Sequence, residues 1–166
     1  MPKERYSSQR VGVFVDVQNM YHSAKNLYQR NVDFGRVLKE AVGERQLIRA
    51  IAYVVKSGTR EEEKFFSALS KSGFELKIKG LQTFPGGMKK ADFDVGLCVD
   101  AIKLADRLDA VVLVSGDGDF IPLISYLQEN KGCRAELMAF ERTASAKLIE
   151  ASDQFTDLGR GEKFLL

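Results

Sequence analysis

The sequence predicts an α/β domain, three-layered and Rossmann-like, with a mainly parallel central sheet. Three observations carry that reading. Apolar runs of strand length alternate with segments of helical period from residue 11 to 151. Two runs, VGVFV (11–15) and AVVLVS (110–115), are apolar almost throughout, the mark of strands buried on both faces. Junctions carry helix signals: Asp33 and Thr59 as starts, Gly73 and Gly132 as stops.

The elements follow in order. Residues 1–9 form a charged lead expected to be loose. The strand at 11–15 precedes helices at 19–30 and 33–42, the second capped by Asp33. QLIRAIAYVV (46–55) is a strand rich in branched residues. Thr59 followed by Glu62 is a capping box ahead of a helix over 59–72. FELKIKGL (74–81) alternates and reads as a strand with one wet face, whose lysines suit a sheet edge. QTFPGGMKKA (82–91) is a loop, and 92–108 a long helix with Asp92 as N-cap. After the strand at 110–115 come a helix (119–131), a strand (134–140) and a short helix (143–151). The two most apolar runs belong at the centre, which gives strand order 3-2-1-4-5. The domain spans 10–158, and 159–166 is a C-terminal tail.

Composition bounds the function. The 166 residues are 45% hydrophobic and 29% charged, and 25 basic against 23 acidic residues leave a net charge of +2. That excludes a histone-like polycation and an acidic solvating tail. Neither an apolar run of spanning length nor a secretory h-region is visible, so the expected compartment is the cytoplasm, without membrane. Cys98 and Cys133 have neither metal-ligand nor disulfide spacing and read as small core residues. Neither GxGxxG nor GxxxxGK[ST] occurs.

In doubly wound sheets, ligands bind beyond the C-terminal strand ends where the winding reverses. Here that point lies between 11–15 and 110–115. The first strand ends in Asp16, the other in Ser115-Gly116-Asp117-Gly118-Asp119, and Asp94 lies in the first turn of the helix that crosses from the third strand to the fourth, so that its start opens on the same edge. Singly, each Asp is as well explained as a helix cap; Asp119 alone suits the helix from 120. Together, four carboxylates raise one another's pKa or require a cation. Hard oxygen ligands select Mg²⁺ or Mn²⁺. Such an ion with open positions is common machinery for phosphodiester cleavage.

VFVDVQN, K-x-x-x-D-V-x-L-x-x-D (Lys90 to Asp100) and SGDGDFIPL together resemble the NYN domain family, in its LabA-like branch, within the PIN-like nuclease superfamily. The resemblance runs from about Val11 to Leu158. It implies a PIN-type fold, a ribonuclease activity and an acidic site at Asp16, Asp94, Asp117 and Asp119. Asn19 matches the family's Asn and would orient metal or phosphate. Asp100 also matches a family Asp. A helix whose buried stripe is Val95, Cys98, Val99 and Ile102 turns Asp100 away, however, so it is left outside the site.

Lys89, Lys90 and Ser115 join Asn19 as accessory, phosphate-binding candidates, with Lys56, Arg60 and Lys79 extending the surface; lysines in a loop are otherwise simply solvated. Phe84 and Phe93 are placed to stack bases, though for Phe93 anchoring the loop is favoured. His22, the only histidine, is within reach of a phosphate, but a structural role is favoured. Thr143 and Ser145 are read as ordinary caps of the last helix.

The reading is therefore a Mg²⁺- or Mn²⁺-dependent endoribonuclease acting on single-stranded or flexible RNA, as a monomer or homodimer. The alternative is a non-catalytic RNA-binding or regulatory module that keeps the fold. An aspartyl phosphatase is disfavoured, because that chemistry wants Asp-x-Asp after the first strand, not the fourth. Removing the four proposed ligands leaves 19 acidic against 25 basic residues, a mildly basic surface around an acidic pocket.

Overall fold

The computed structural model describes residues 5–80, 82–83, 89–90 and 93–166. Six parallel strands form the sheet: β1 (Arg10–Asp16), β2 (Gln46–Lys56), β3 (Glu75–Gly80), β6 (Ala110–Val114), β7 (Arg134–Ala139) and β8 (Gln154–Asp157). Their spatial order is β3-β2-β1-β6-β7-β8. The predicted order stands for five strands, and the winding reverses between β1 and β6 as expected.

The sixth strand is an addition. Gln154–Asp157 is short, half-exposed and without an apolar run, so its period gives no signal; pairing with β7 makes it a strand. Of the expected loop at 82–91, the described residues are paired. Gln82–Thr83 (β4) pairs antiparallel with Lys89–Lys90 (β5) as a two-rung hairpin. Phe84 and Asp92 lie outside the described residues.

Alternation along β1 decides the layers. Val11, Val13 and Val15 face one core, with Met20 and Ala24 of α1 (Val17–Tyr28) and Val37, Leu38 and Ala41 of α2 (Phe34–Val42). Leu69 of α3 (Arg60–Lys71) joins the same core. Phe14 faces the other way, toward Leu97 and Ala101 of α4 (Asp94–Leu104). Leu123, Ile124 and Leu127 of α5 (Ile121–Lys131) and Leu148 of α6 (Ala146–Ala151) complete that second core. Helices thus cover both faces, which is why the central strands are apolar throughout.

Local chemistry sets the helix ends. Asp33 accepts from the Arg36 N–H at 3.1 Å and starts α2. Glu62 accepts from the Thr59 N–H at 2.9 Å, and from Ser57, whose hydroxyl bond leads in holding its pKa down at about 2. Gly132, at φ 66°, ends α5 in the left-handed conformation that glycine adopts without penalty. Residues after 159 pack back on the domain: Phe164 is 2% exposed, and its carbonyl accepts from the Asp33 N–H at 2.7 Å.

Glu136, in the N-terminal half of β7, is 1% exposed. Arg45 grips it with bonds of 2.7 and 3.0 Å, Arg134 with one of 2.9 Å and Arg5 with one of 2.7 Å. Burial opposes its ionisation, but these guanidinium contacts outweigh it and hold its pKa below the usual range. No helix among the described residues is long and apolar enough to cross a membrane.

Candidate metal centre

Asp16 is both the last residue of β1 and the N-cap of α1. Its Oδ1 accepts from the Asn19 N–H at 3.2 Å, satisfying an N–H that the first helical turn leaves open. Its Oδ2 accepts from the Ser115 hydroxyl at 3.1 Å. Ser115 is fully buried at the end of β6, and its Oγ in turn accepts from the Asp117 N–H at 3.2 Å. One hydroxyl therefore joins the two strand ends on either side of the switch point.

The two loops are tied a second time. The side-chain carbonyl of Asn19 accepts from the Gly116 N–H at 2.9 Å. Behind them, the Gly116 carbonyl accepts from the Ser145 N–H at 2.9 Å. A Cβ on Gly116 would sit 2.9 Å from the Ala144 Cα, so only glycine allows this approach. Asp117 Oδ1 accepts from the Asp119 N–H at 2.9 Å and starts the 3-10 turn Gly118–Phe120. Asp117, not Asp119, is thus the capping residue here.

Asp94 arrives from the opposite face of the sheet as the first residue of α4. The expected stripe on this helix is corrected. Val95 is 78% exposed and Val99 43%, whereas Leu97 and Ala101 are buried. Asp94 lies at i−3 and i−7 from those two, so it continues the buried stripe upward to the sheet edge. A nearly all-apolar helix gives no clear moment, and that is why its inner face was misread.

Asp100 does not turn away from the sheet. Its Oδ2 accepts from the Tyr53 hydroxyl at 2.7 Å and from the Lys77 ammonium at 2.6 Å. Burial opposes its charge, yet these two donors hold its pKa below the usual range. Tyr53 stands beside Asp16 in strand register, and its ring lies 5.5 Å from that of Phe93, just before Asp94. Asp100 and Tyr53 thus fasten α4 to the sheet beneath the site. Phe93 anchors the helix start, as favoured from sequence, with the Lys79 ammonium 5.8 Å from its ring centroid. Tyr53 was missed by sequence reasoning. The available signal was a tyrosine in an apolar strand, whose hydroxyl needs a partner when buried.

Asp16, Asp94 and Asp117 converge. Each is half-buried and offers one carboxylate oxygen, and these three oxygens lie within 4.8 Å of one another. Ligands on opposite sides of an octahedral ion with bonds near 2.1 Å stand about 4.2 Å apart, and adjacent ones about 3.0 Å. Three hard oxygens at this separation could hold a divalent metal ion. Asp119 stands outside this group, exposed beside Asp117. Asn19, half-buried, and Ser115, buried, hydrogen-bond within the loops. Lys89 and Lys90 are in the hairpin that precedes α4. Lys56 and Arg60 are exposed, as is His22 on α1. Thr143 bonds the Ser23 hydroxyl at 3.1 Å, and Ser145 caps α6 by accepting from the Leu148 N–H at 3.2 Å.

A groove of about 420 Å³ lies at the other end of the sheet, lined by Arg10, Asp109, Asp106 and Lys131. Two of its charge pairs are closed, Arg10 with Asp109 and Lys131 with Asp106.

Comparison with known proteins bears on the family and the fold. The model of the NYN domain family matches residues 10–159. "Low amplitude and bright protein LabA" of Synechococcus elongatus is 26% identical, over 94% of this chain and 87% of its own. The crystal structure of a protein of unknown function from Vibrio parahaemolyticus has a TM-score of 0.89 and 32% identity, covering 99% of this chain and all of the other.

Proposed function

The chain belongs to the NYN domain family, and from that premise we propose that it is a metal-dependent ribonuclease. Its substrate is single-stranded or flexible RNA, whose phosphodiester bonds it hydrolyses internally. The family sits in the PIN-like nuclease superfamily. The observation that carries the reading is the meeting of Asp16, Asp94 and Asp117, from β1, α4 and the β6 loop, at the C-terminal sheet edge.

In this reading the three carboxylates hold a Mg²⁺ or Mn²⁺ ion. Such an ion lowers the pKa of a water and stabilises charge on phosphate oxygens. The protein's own residues do the rest. Ser115 fixes Asp16 Oδ2 and the Asp117 N–H, and so would orient the two strand ends that carry Asp16 and Asp117 toward a bound cation. Asn19 keeps the two loops in register. Asp119, exposed at the rim, accepts the proton of the attacking water. Lys89 and Lys90 hold the backbone of the incoming strand. No side-chain nucleophile takes part.

The test is cleavage of end-labelled single-stranded RNA in Mg²⁺ or Mn²⁺. The expected result is product with wild type and none with Asp117→Asn. Equal cleavage by the two proteins sinks the proposal. RNA binding without cleavage, unaffected by EDTA, favours a non-catalytic RNA-binding module instead.

A further inference from the structure

Helix α1 runs directly out of the acidic site, because Asp16 is its N-cap. Its inner face is buried through Val17, Met20, Ser23 and Ala24. The outer face carries Gln18, Tyr21, His22 and Lys25, spaced i, i+3, i+4 and i+7. Tyr21 is 46% exposed, and His22 is exposed beside it. Their rings meet edge to face at 5.6 Å, and the Lys25 ammonium lies 5.7 Å from the Tyr21 centroid. None of the 12 residues of α1 is acidic. Tyr28 packs on Phe140 at 5.8 Å and Tyr53 is buried, whereas Tyr6 and Tyr126 are exposed too; what sets Tyr21 apart is its place on the helix that Asp16 caps.

We infer that this face of α1 is a stacking platform for the bases of a single-stranded nucleic acid approaching the acidic site. The inference rests on the nuclease reading above and adds a subsite to it. Aromatic faces stack on every base, and a neighbouring cation neutralises phosphate. A protein partner would want apolar neighbours around the tyrosine, yet Gln18 and Lys25 stand at i−3 and i+4 from it. Tyr21 is five residues beyond Asp16, about 7.5 Å along the helix axis, a distance that a short run of nucleotides covers. The platform is sequence-tolerant, because every base offers a π-face.

The experiment is fluorescence anisotropy with labelled single-stranded RNA in Mg²⁺, all variants being made in an Asp117→Asn background so that the strand stays intact. Tyr21→Ala is expected to weaken binding roughly 10-fold, with Tyr21→Phe close to the parent. Lys25→Ala is expected to lower the salt slope by about 0.7. Abasic nucleotides placed along the strand are expected to erase the difference between Tyr21→Ala and its parent. Equal affinity of Tyr21→Ala and parent overturns the inference, as does an equal loss on the abasic strand. Thermal melting checks that the variants fold. The two readings fail differently. Affinity that depends on Tyr21 while wild type never cleaves removes the nuclease and keeps the platform. Cleavage by wild type with affinity indifferent to Tyr21 removes the platform alone. A parent that binds no RNA overturns both.

Discussion

The side-chain carbonyl of Asn19 accepts a hydrogen bond from the backbone N–H of Gly116 at 2.9 Å. Asn19 also gives its own backbone N–H to Asp16, so one residue joins the loops that carry Asp16 and Asp117. Replacing it by alanine leaves the partly buried Gly116 N–H unpaired. Asn19→Ala is expected to cost about 1–3 kcal/mol in stability. It is also expected to weaken Mn²⁺ binding, while Asn19→Asp, which keeps the acceptor oxygen, is milder in stability. Urea denaturation and Mn²⁺ titration calorimetry check both.

Ser115 spends its hydroxyl twice, donating to Asp16 and accepting from the Asp117 N–H. Groups that orient metal-ligating carboxylates typically cost 10–100-fold in affinity or activity when removed. Ser115→Ala is expected to lower Mn²⁺ affinity roughly 10-fold with little change in far-ultraviolet circular dichroism. Unchanged Mn²⁺ affinity would show that the bridge does not position the carboxylates.

Tyr53, in register with Asp16, holds α4 through Asp100, six residues after Asp94. Tyr53→Phe removes one oxygen and leaves Asp100 with Lys77. The expected cost is about 1 kcal/mol in stability, measured by thermal melting. Burial first, then the hydrogen bond to Asp100 and its charge, push the Tyr53 phenol upward. Alkaline titration followed at the phenolate absorption band is therefore expected to leave one tyrosine un-ionised until the protein unfolds, and Tyr53→Phe removes that late step.

Glu136 gives a pH prediction far from the site. Its folded-state pKa lies below its ordinary value of 4.5. The stability it contributes is fully present above that value and is lost as pH falls through the lower, folded-state one. Glu136→Gln strands Arg45 and Arg134 in the interior, and the expected cost at neutral pH is about 3–5 kcal/mol. Urea titrations between pH 3 and pH 7 are expected to show a flatter acid limb for the variant.

Much of this was legible before any coordinates. The apolar runs at 11–15 and 110–115 located the central strands. The strand order then brought Asp16 and Asp117 together, because parallel α/β sheets put strand ends side by side at the switch point. Elements whose form depends on tertiary partners were not legible. Gln154–Asp157 becomes a strand only because β7 offers an edge. The inner face of α4 is hidden in a helix that is apolar nearly all round, so Leu97 and Ala101 could not be told from Val95 and Val99. The Asp100–Tyr53 bond joins residues 47 positions apart, a pairing that periodicity cannot carry. Asp119 shows the limit of motif reading: the SGDGD segment supplies two carboxylates, and only Asp117 stands in the three-oxygen group.

The central claim is that Asp16, Asp94 and Asp117 share one divalent cation. A crystal structure of the full chain grown in Mn²⁺, with an anomalous difference map at the manganese edge, tests it most directly. The account predicts a single strong peak bounded by carboxylate oxygens of those three residues. A map with no peak there, or with manganese held elsewhere on the chain, would contradict it.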